Sequence, residues 1–320
     1  MPPNFRPFTS SLSKRLLTGN HPMKCLLAVL TICLWCVSPN CTFAQINGTE
    51  APIFVWPDLA PGETQRTTGT QLPMRAADKP PILRIEKIRR PPMHVYPATG
   101  NANGAAILIL PGGGFGKVVP NLEGSEAAEW LCQMGVTCFV LNYRTRLPGN
   151  TSEPPWKRPL QDAQRAMRWI RANAKKWNLD PEQIGLLAFS AGGQVGAIMI
   201  TNRDPAYESI DSTDTHPFRP DFAMLVYPWN MYNKETDQLM PVIRVNKNTP
   251  PSFIVHTHDD ASTSLGSVLL YADMKRNNVP AELHVYETGG HGYGTRERPN
   301  SNIGSWKDRA TDWLERRLPR

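Results

Sequence analysis

The 320-residue chain is poor in usable cysteine. Of its six cysteines, Cys25, Cys33, Cys36 and Cys41 all lie in the first 44 residues. Only Cys132 and Cys138 follow, and no C-x-x-C pair occurs among them. A zinc cluster or a thioredoxin-type pair is thereby excluded from the body of the chain. Cys33 and Cys36 have the spacing but sit inside an apolar segment. No metal and no cofactor is expected. Cys132 and Cys138 flank the end of an expected helix and the strand after it, so one disulfide and two buried thiols both remain open.

Acidic residues are missing from residues 1–44, which carry Arg6, Lys14, Arg15 and Lys24. The formal charge of +7 comes largely from there. Taking those four from the 35 basic residues leaves 31 against 28 acidic ones. No basic cluster of the kind that follows a nucleic-acid backbone appears, so no nucleic-acid partner is expected. The densest basic stretch, Arg84 to Arg90, reads as the solvated face of a strand.

Long apolar runs are also lacking. The strongest, Cys25 to Val37, falls short of the roughly 20 residues that span a bilayer. Lys24 precedes it, Pro39 ends it, and Thr42-Phe43-Ala44 puts small residues where a signal peptidase reads. Residues 1–44 therefore read as a secretory signal cleaved after Ala44, with Met23 as an alternative start. A membrane anchor is the alternative. The expected location is secreted or periplasmic, without stable membrane insertion after cleavage.

Nucleotide-binding glycine loops fail on inspection. A P-loop ending at Gly116-Lys117 would need glycine at Pro111 and a hydroxyl residue at Val118. A dinucleotide fingerprint from Gly112 or Gly114 would need its last glycine at Lys117 or Val119. There are no internal repeats.

What the chain does contain is an alternation of strands and helices. Residues 105–110, 136–141, 184–189, 222–227 and 252–257 are apolar runs of the kind buried on both faces of a sheet. Residues 281–286 alternate, as expected near a sheet edge. Helical patterns cover 121–131, 160–170, 264–277 and 306–317. The fold class is α/β: a mainly parallel sheet with helices on both faces, in a single domain over 81–320. Residues 45–80 read as an extended arm anchored by Trp56. Residues 82–88 read as an early edge strand, with Met93 to Tyr96 a second. Residues 229–249 are candidates for a cap over the site.

Chemistry concentrates where strands end. Ala188-Phe189-Ser190-Ala191-Gly192 follows an apolar strand and opens a buried helix, which is the nucleophile elbow of an α/β hydrolase with alanine for the first glycine. Pro111-Gly112-Gly113-Gly114 follows another strand and suits an oxyanion loop. Asp259-Asp260 ends a third strand, and His291 lies among glycines after the last. The order Ser, Asp, His is that of the fold's triad. Ser190 is the expected nucleophile, His291 the base and Asp260 its orienting acid; only one of the adjacent pair can face His291, so Asp259 is the alternative. His256, His258 and His284 are rival histidines, and His258 is a candidate for the cleft wall. Backbone amides of Gly113 or Gly114, with Ala191, are the expected oxyanion donors. Trp156, Trp229, Tyr227 and Tyr293 are candidate sugar platforms or core packing, and Tyr143 or Arg144 candidate cleft residues.

These motifs, with the His-Thr-His-Asp-Asp stretch and Gly289-Gly290-His291-Gly292-Tyr293-Gly294, resemble the secreted α/β-hydrolase esterases of the acetylxylan-esterase and feruloyl-esterase-like group, some labelled xylanases. The resemblance covers roughly residues 80–318. It implies a serine esterase that removes acetyl or other acyl groups from polysaccharides, with an acylated carbohydrate as its partner. A prolyl-oligopeptidase-type peptidase shares the triad order, but neither a propeller nor an amine-binding acidic motif is present. A non-catalytic carbohydrate-binding protein on the same fold is the third reading.

Overall fold

The computed structural model describes residues 51–147, 149 and 152–318. The expected signal segment and its cleavage point lie outside them. Eight strands form one sheet: β1 (Ile53–Phe54), β2 (Pro92–Tyr96), β3 (Ala106–Leu110), β4 (Thr137–Leu141), β5 (Ile184–Phe189), β6 (Phe222–Val226), β7 (Ser252–Thr257) and β8 (Ala281–Tyr286). Their spatial order is β1-β2-β4-β3-β5-β6-β7-β8. The first two pairings are antiparallel and the rest parallel. Parallel neighbours need crossovers, which the helices supply. They are α1 (Glu126–Gln133), α2 (Lys157–Ala172), α3 (Ser190–Thr201), α4 (Leu265–Arg276) and α5 (Trp306–Glu315).

The side-chain alternation of each central strand divides the core in two. Ile107, Ile109, Leu187 and Met224 pack with residues of α1 and α5. Leu108, Leu110, Leu186 and Leu225 pack with residues of α2 and α3. Both faces are covered, so these strands read as unbroken apolar runs. Each such side chain contributes on the order of 1.5–3 kcal/mol when buried. At the far edge β8 is only partly covered, and Val285 stays exposed, which accounts for its alternating pattern. Cys132 and Cys138 are both buried free thiols.

The arm is tied down at Trp56, which is buried. Its indole donates to Asp162 Oδ1 at 2.8 Å. The same carboxylate accepts from the Arg144 backbone amide at 2.8 Å and the Arg144 guanidinium at 2.9 Å. Arg144 also donates to the arm at Pro61 O, 2.7 Å away. A carboxylate buried this deeply needs such partners to stay tolerable. Burial raises its pKa, and Arg144 opposes that rise.

Residues 82–88 do not join the main sheet's edge. Ile85–Glu86 pairs instead with Thr70–Gln71 and Lys117–Val118 in a separate three-stranded sheet. The reason is that β1 and β2 already occupy that edge. This small sheet sets the arm beside the loop that follows β3. Because β3, β5, β7 and β8 run parallel, the loops at their carboxyl ends converge on one side of the sheet. Ligands of open α/β sheets bind on that side.

Candidate active site

Ser190 sits where β5 becomes α3, with φ of +50°. A side-chain-bearing residue takes this left-handed geometry only where the surroundings force it. Here the neighbours leave no slack. A Cβ on Gly192 would lie inside the carbonyl oxygen of Leu110 and 2.6 Å from that of Pro111. A Cβ on Gly193 would meet Pro228 Cα at 2.7 Å. The helix therefore enters against bare backbone, and the serine is turned up to the cleft. Alanine at 188 fits because Gly196 faces it: a Cβ there would come within 3.0 Å of the Ala188 methyl.

Ser190 Oγ lies 2.7 Å from His291 Nε2, and His291 Nδ1 lies 2.6 Å from Asp260 Oδ2. The ionised carboxylate can only accept, so Nδ1 carries the proton and Nε2 is left to accept from the serine hydroxyl. Burial works against the Asp260 charge, but hydrogen bonds from His256 and His291 outweigh it and hold its pKa well below the usual carboxylate range. The adjacent Asp259 bonds the backbone of the His291 loop and not the His291 ring. It accepts from the amides of Gly289 and Gly290 at 3.1 and 2.9 Å and so pins the loop that carries His291.

The glycine loop comes in against the serine. A Cβ on Gly112 would stand 2.6 Å from Ser190 Cβ. The Gly112 amide is already committed to Glu123 Oε2 at 2.7 Å. The next amides, Gly113 and Gly114, belong to residues that line one cavity of about 680 Å³ with Ser190 and His291. Both have positive φ, +131° and +64°. Ala191 is the second residue of α3, and the first amides of a helix have no partner within it. The structure thus brings Ser190, His291, Asp260, Gly113, Gly114 and Ala191 to one place.

The other candidates separate. Tyr143 is buried and donates to Pro111 O at 2.6 Å, and Arg144 is buried against Asp162, so neither lines the cavity. His258 is exposed but lies off the cavity wall. His284 pairs with Glu282 at 2.8 Å on the edge strand. Tyr227 and Tyr293 are core residues. Of residues 229–249, only Trp229 is in the cavity wall; much of the stretch is taken up by a small hairpin, Tyr232–Asn233 with Gln238–Leu239.

Two residues at the site carry no motif. Glu123 is buried and accepts from the Gly112 amide and, at 2.8 Å, from the Tyr227 hydroxyl. Tyr227 in turn accepts from the Gly294 amide at 2.8 Å, and its ring lies edge-on to His291 at 4.9 Å. Burial raises the pKa of Glu123, and the bonds from Tyr227 and Gly112 oppose the rise. Glu123 and Tyr227 together form a crossbar between the glycine loop and the histidine loop. His256, also fully buried, meets Asp260 Oδ2 at 3.0 Å and Ser267 Oγ at 2.9 Å. Both imidazoles thus meet the same Asp260 oxygen, while Oδ1 accepts from the Ser262 amide at 2.7 Å.

The chain is similar to known proteins in both sequence and fold. The BD-FAE family matches residues 93–215, a stretch that holds Ser190 and the glycine loop but ends before Asp260 and His291. An acetyl ester-xyloside bifunctional hydrolase from Caldicellulosiruptor lactoaceticus superposes with a TM-score of 0.65 at 28% identity, covering 85% of this chain and 98% of that one. The chain has the α/β-hydrolase fold. It resembles the esterases of the acetylxylan-esterase and feruloyl-esterase-like group. The acetylxylan esterase of Xylanibacter ruminicola is 28% identical over 61% of this chain and 42% of its own length. Endo-1,4-beta-xylanase B of Butyrivibrio fibrisolvens is 28% identical over 63% of this chain and 34% of its own length. The chain thus spans less than half of either relative. Among its described residues, no helix is long and apolar enough to cross a membrane, and no cluster of His, Cys, Asp and Glu could hold a metal.

Proposed function

We propose that the protein is a serine-dependent carboxylic ester hydrolase that removes acetyl or other acyl groups from polysaccharides or oligosaccharides. The observation that carries this reading is the unbroken chain from Ser190 Oγ through His291 to Asp260, at 2.7 and 2.6 Å, on the wall of one cavity. In the reaction His291 Nε2 takes the Ser190 proton as Oγ attacks the acyl carbon. The carbonyl oxygen becomes an oxyanion, stabilised by the Gly113 or Gly114 amide together with that of Ala191. Each such donor is worth on the order of 3 kcal/mol of barrier. His291 then protonates the departing alcohol. Water, deprotonated by the same nitrogen, releases the acid from the acyl-serine. Asp260 keeps Nδ1 protonated throughout and stabilises the imidazolium.

The acetyl and glycan parts of the reading rest on the named relatives and on the cavity. An acetyl group fills a small part of about 680 Å³, a size suited to a larger alcohol portion. The composition of residues 1–44 supports export, and N-terminal sequencing of protein recovered from the medium or periplasm should begin at Gln45. The direct test is Ser190→Ala. Turnover of p-nitrophenyl acetate should fall by at least about 10⁴-fold, and a fluorophosphonate probe should no longer label the protein. Undiminished turnover would remove Ser190 from the mechanism.

A further inference from the structure

Three arginines stand around the mouth of the cavity or beside it, and their charges are not balanced alike. Arg84, on the wall, is paired with Asp78 at 2.6 Å. Arg296 is paired with Glu126 at 2.5 Å. Arg298, also on the wall, forms no ion pair among the described residues. It is exposed, and one Nη2–H donates to the carbonyl of Gly292 at 2.8 Å, next to His291. That bond ties the guanidinium to the histidine loop and leaves its other donors open.

The carboxylates of the same cavity are each engaged elsewhere, and none of them pairs with it. Asp260 is spent on His256, His291 and the Ser262 amide. Glu123 is spent on Gly112 and Tyr227, and Asp78 on Arg84. A tethered guanidinium with open donors is matched by a planar two-oxygen anion, which it can grip with two parallel hydrogen bonds.

We infer that Arg298 is a subsite for the carboxylate of a uronic-acid residue in the acylated glycan, so that the preferred substrates are acetyl esters of acidic rather than neutral sugars. This rests on the ester-hydrolase reading of the site. The carboxylate belongs to the alcohol portion, since an acetyl group carries none and occupies little of the cavity.

The experiment compares acetylated oligogalacturonide with acetylated xylo-oligosaccharide. Acetate release gives the ratio of kcat/KM values, and calorimetry on the Ser190→Ala protein gives the ratio of affinities for the same two probes. The wild-type ratio should favour the acidic probe by about two- to fivefold, the range an exposed charged pair supports. It should shrink as salt rises. Arg298→Gln should bring it to about one, and Arg298→Lys should keep part of it. A ratio of one or below in both measurements overturns the inference, as does a ratio that Arg298→Gln leaves unchanged. If neither ester is hydrolysed but Ser190→Ala still prefers the acidic probe, the esterase reading falls and the carboxylate subsite stands. If both are hydrolysed at equal rates and bound equally, the subsite alone falls.

Discussion

Replacing Glu123 by glutamine keeps shape and volume but changes which hydrogen bonds can be made. The carboxylate accepts two, from Gly112 N–H at 2.7 Å and Tyr227 O–H at 2.8 Å. A glutamine has one accepting oxygen and a donating amide. If the oxygen serves Gly112, the amide faces Tyr227 Oη, which already accepts from Gly294 N–H at 2.8 Å. The tyrosine proton is then left without an acceptor. If the amide is turned round, the Gly112 N–H loses its acceptor instead. Either way one bond to a charged group goes, worth about 1.5–3 kcal/mol. For folding, the loss is offset because glutamine relieves the burial of a charge, the same burial that raises the Glu123 pKa. Thermal stability should therefore shift by no more than about 1–2 kcal/mol. Catalysis has no such offset. Gly112 leads directly into Gly113 and Gly114, so a looser turn misplaces the amides proposed for the oxyanion. The ceiling is the loss of one donor, about 3–4 kcal/mol. The expected result is kcat on p-nitrophenyl acetate lowered roughly ten- to hundredfold with KM little changed, the pattern of an interaction made in the transition state. Affinity for a boronic-acid transition-state analogue should fall by the same factor as kcat/KM. Tyr227→Phe should move both readouts in the same direction, since it leaves Glu123 one donor short and Gly294 N–H without an acceptor. Wild-type kcat and analogue affinity in Glu123→Gln, alongside a lowered melting temperature, would refute the crossbar and leave Glu123 a purely structural residue.

Asp260→Asn should lower kcat by about 10⁴-fold, because the amide no longer enforces the His291 tautomer; a loss below tenfold would contradict that role. The same variant tests linkage. The folded-state pKa of Asp260 lies below its unfolded value of about 3.9, so the carboxylate stabilises the fold above that pH and loses the contribution as pH falls through and below it. The stability gap between wild type and Asp260→Asn, followed by denaturant melts, should be flat above about pH 5 and close from about pH 4 downward; a gap that closed on the alkaline side would reverse the assignment. Gly192→Ala should destabilise by about 1–3 kcal/mol, because its methyl meets two carbonyl oxygens of backbone that cannot rotate away. It should also lower kcat, since Pro111 leads into the glycine loop; a variant with wild-type melting temperature and turnover would show that the elbow has slack.

The strand ends were legible because parallel strands covered on both faces leave a strong local signal, an apolar run that stops abruptly. Ser190 after β5, the glycines after β3, Asp260 after β7 and His291 after β8 each follow such a stop or lie in the loop just beyond it. The sheet's parallel direction then brings those loops together whatever their separation in sequence. Position was readable on that basis, but direction was not. Arg144 follows β4 in the same way, yet it turns to Asp162 on α2 and away from the cleft. Asp259 and Asp260 differ by one step along a turn, and which one faces His291 depends on where Gly289 and Gly290 present their amides.

Glu123 was out of reach for a related reason. It stands in Asn121-Leu122-Glu123-Gly124-Ser125, which reads as the polar, solvated start of a helix. Its burial is created by Gly112 and by Tyr227, the latter 104 residues further along the chain. Ala188 points the same way: its departure from glycine is absorbed by Gly196 across the helix contact, not by its neighbours in sequence. The local pattern thus marks which loops meet at the site, while long-range packing decides which side chains in them face the serine. Arg298 belongs to this second class. Nothing adjacent in sequence separates it from Arg296, two residues earlier. What separates them is that Glu126 on α1 neutralises one and no described residue neutralises the other.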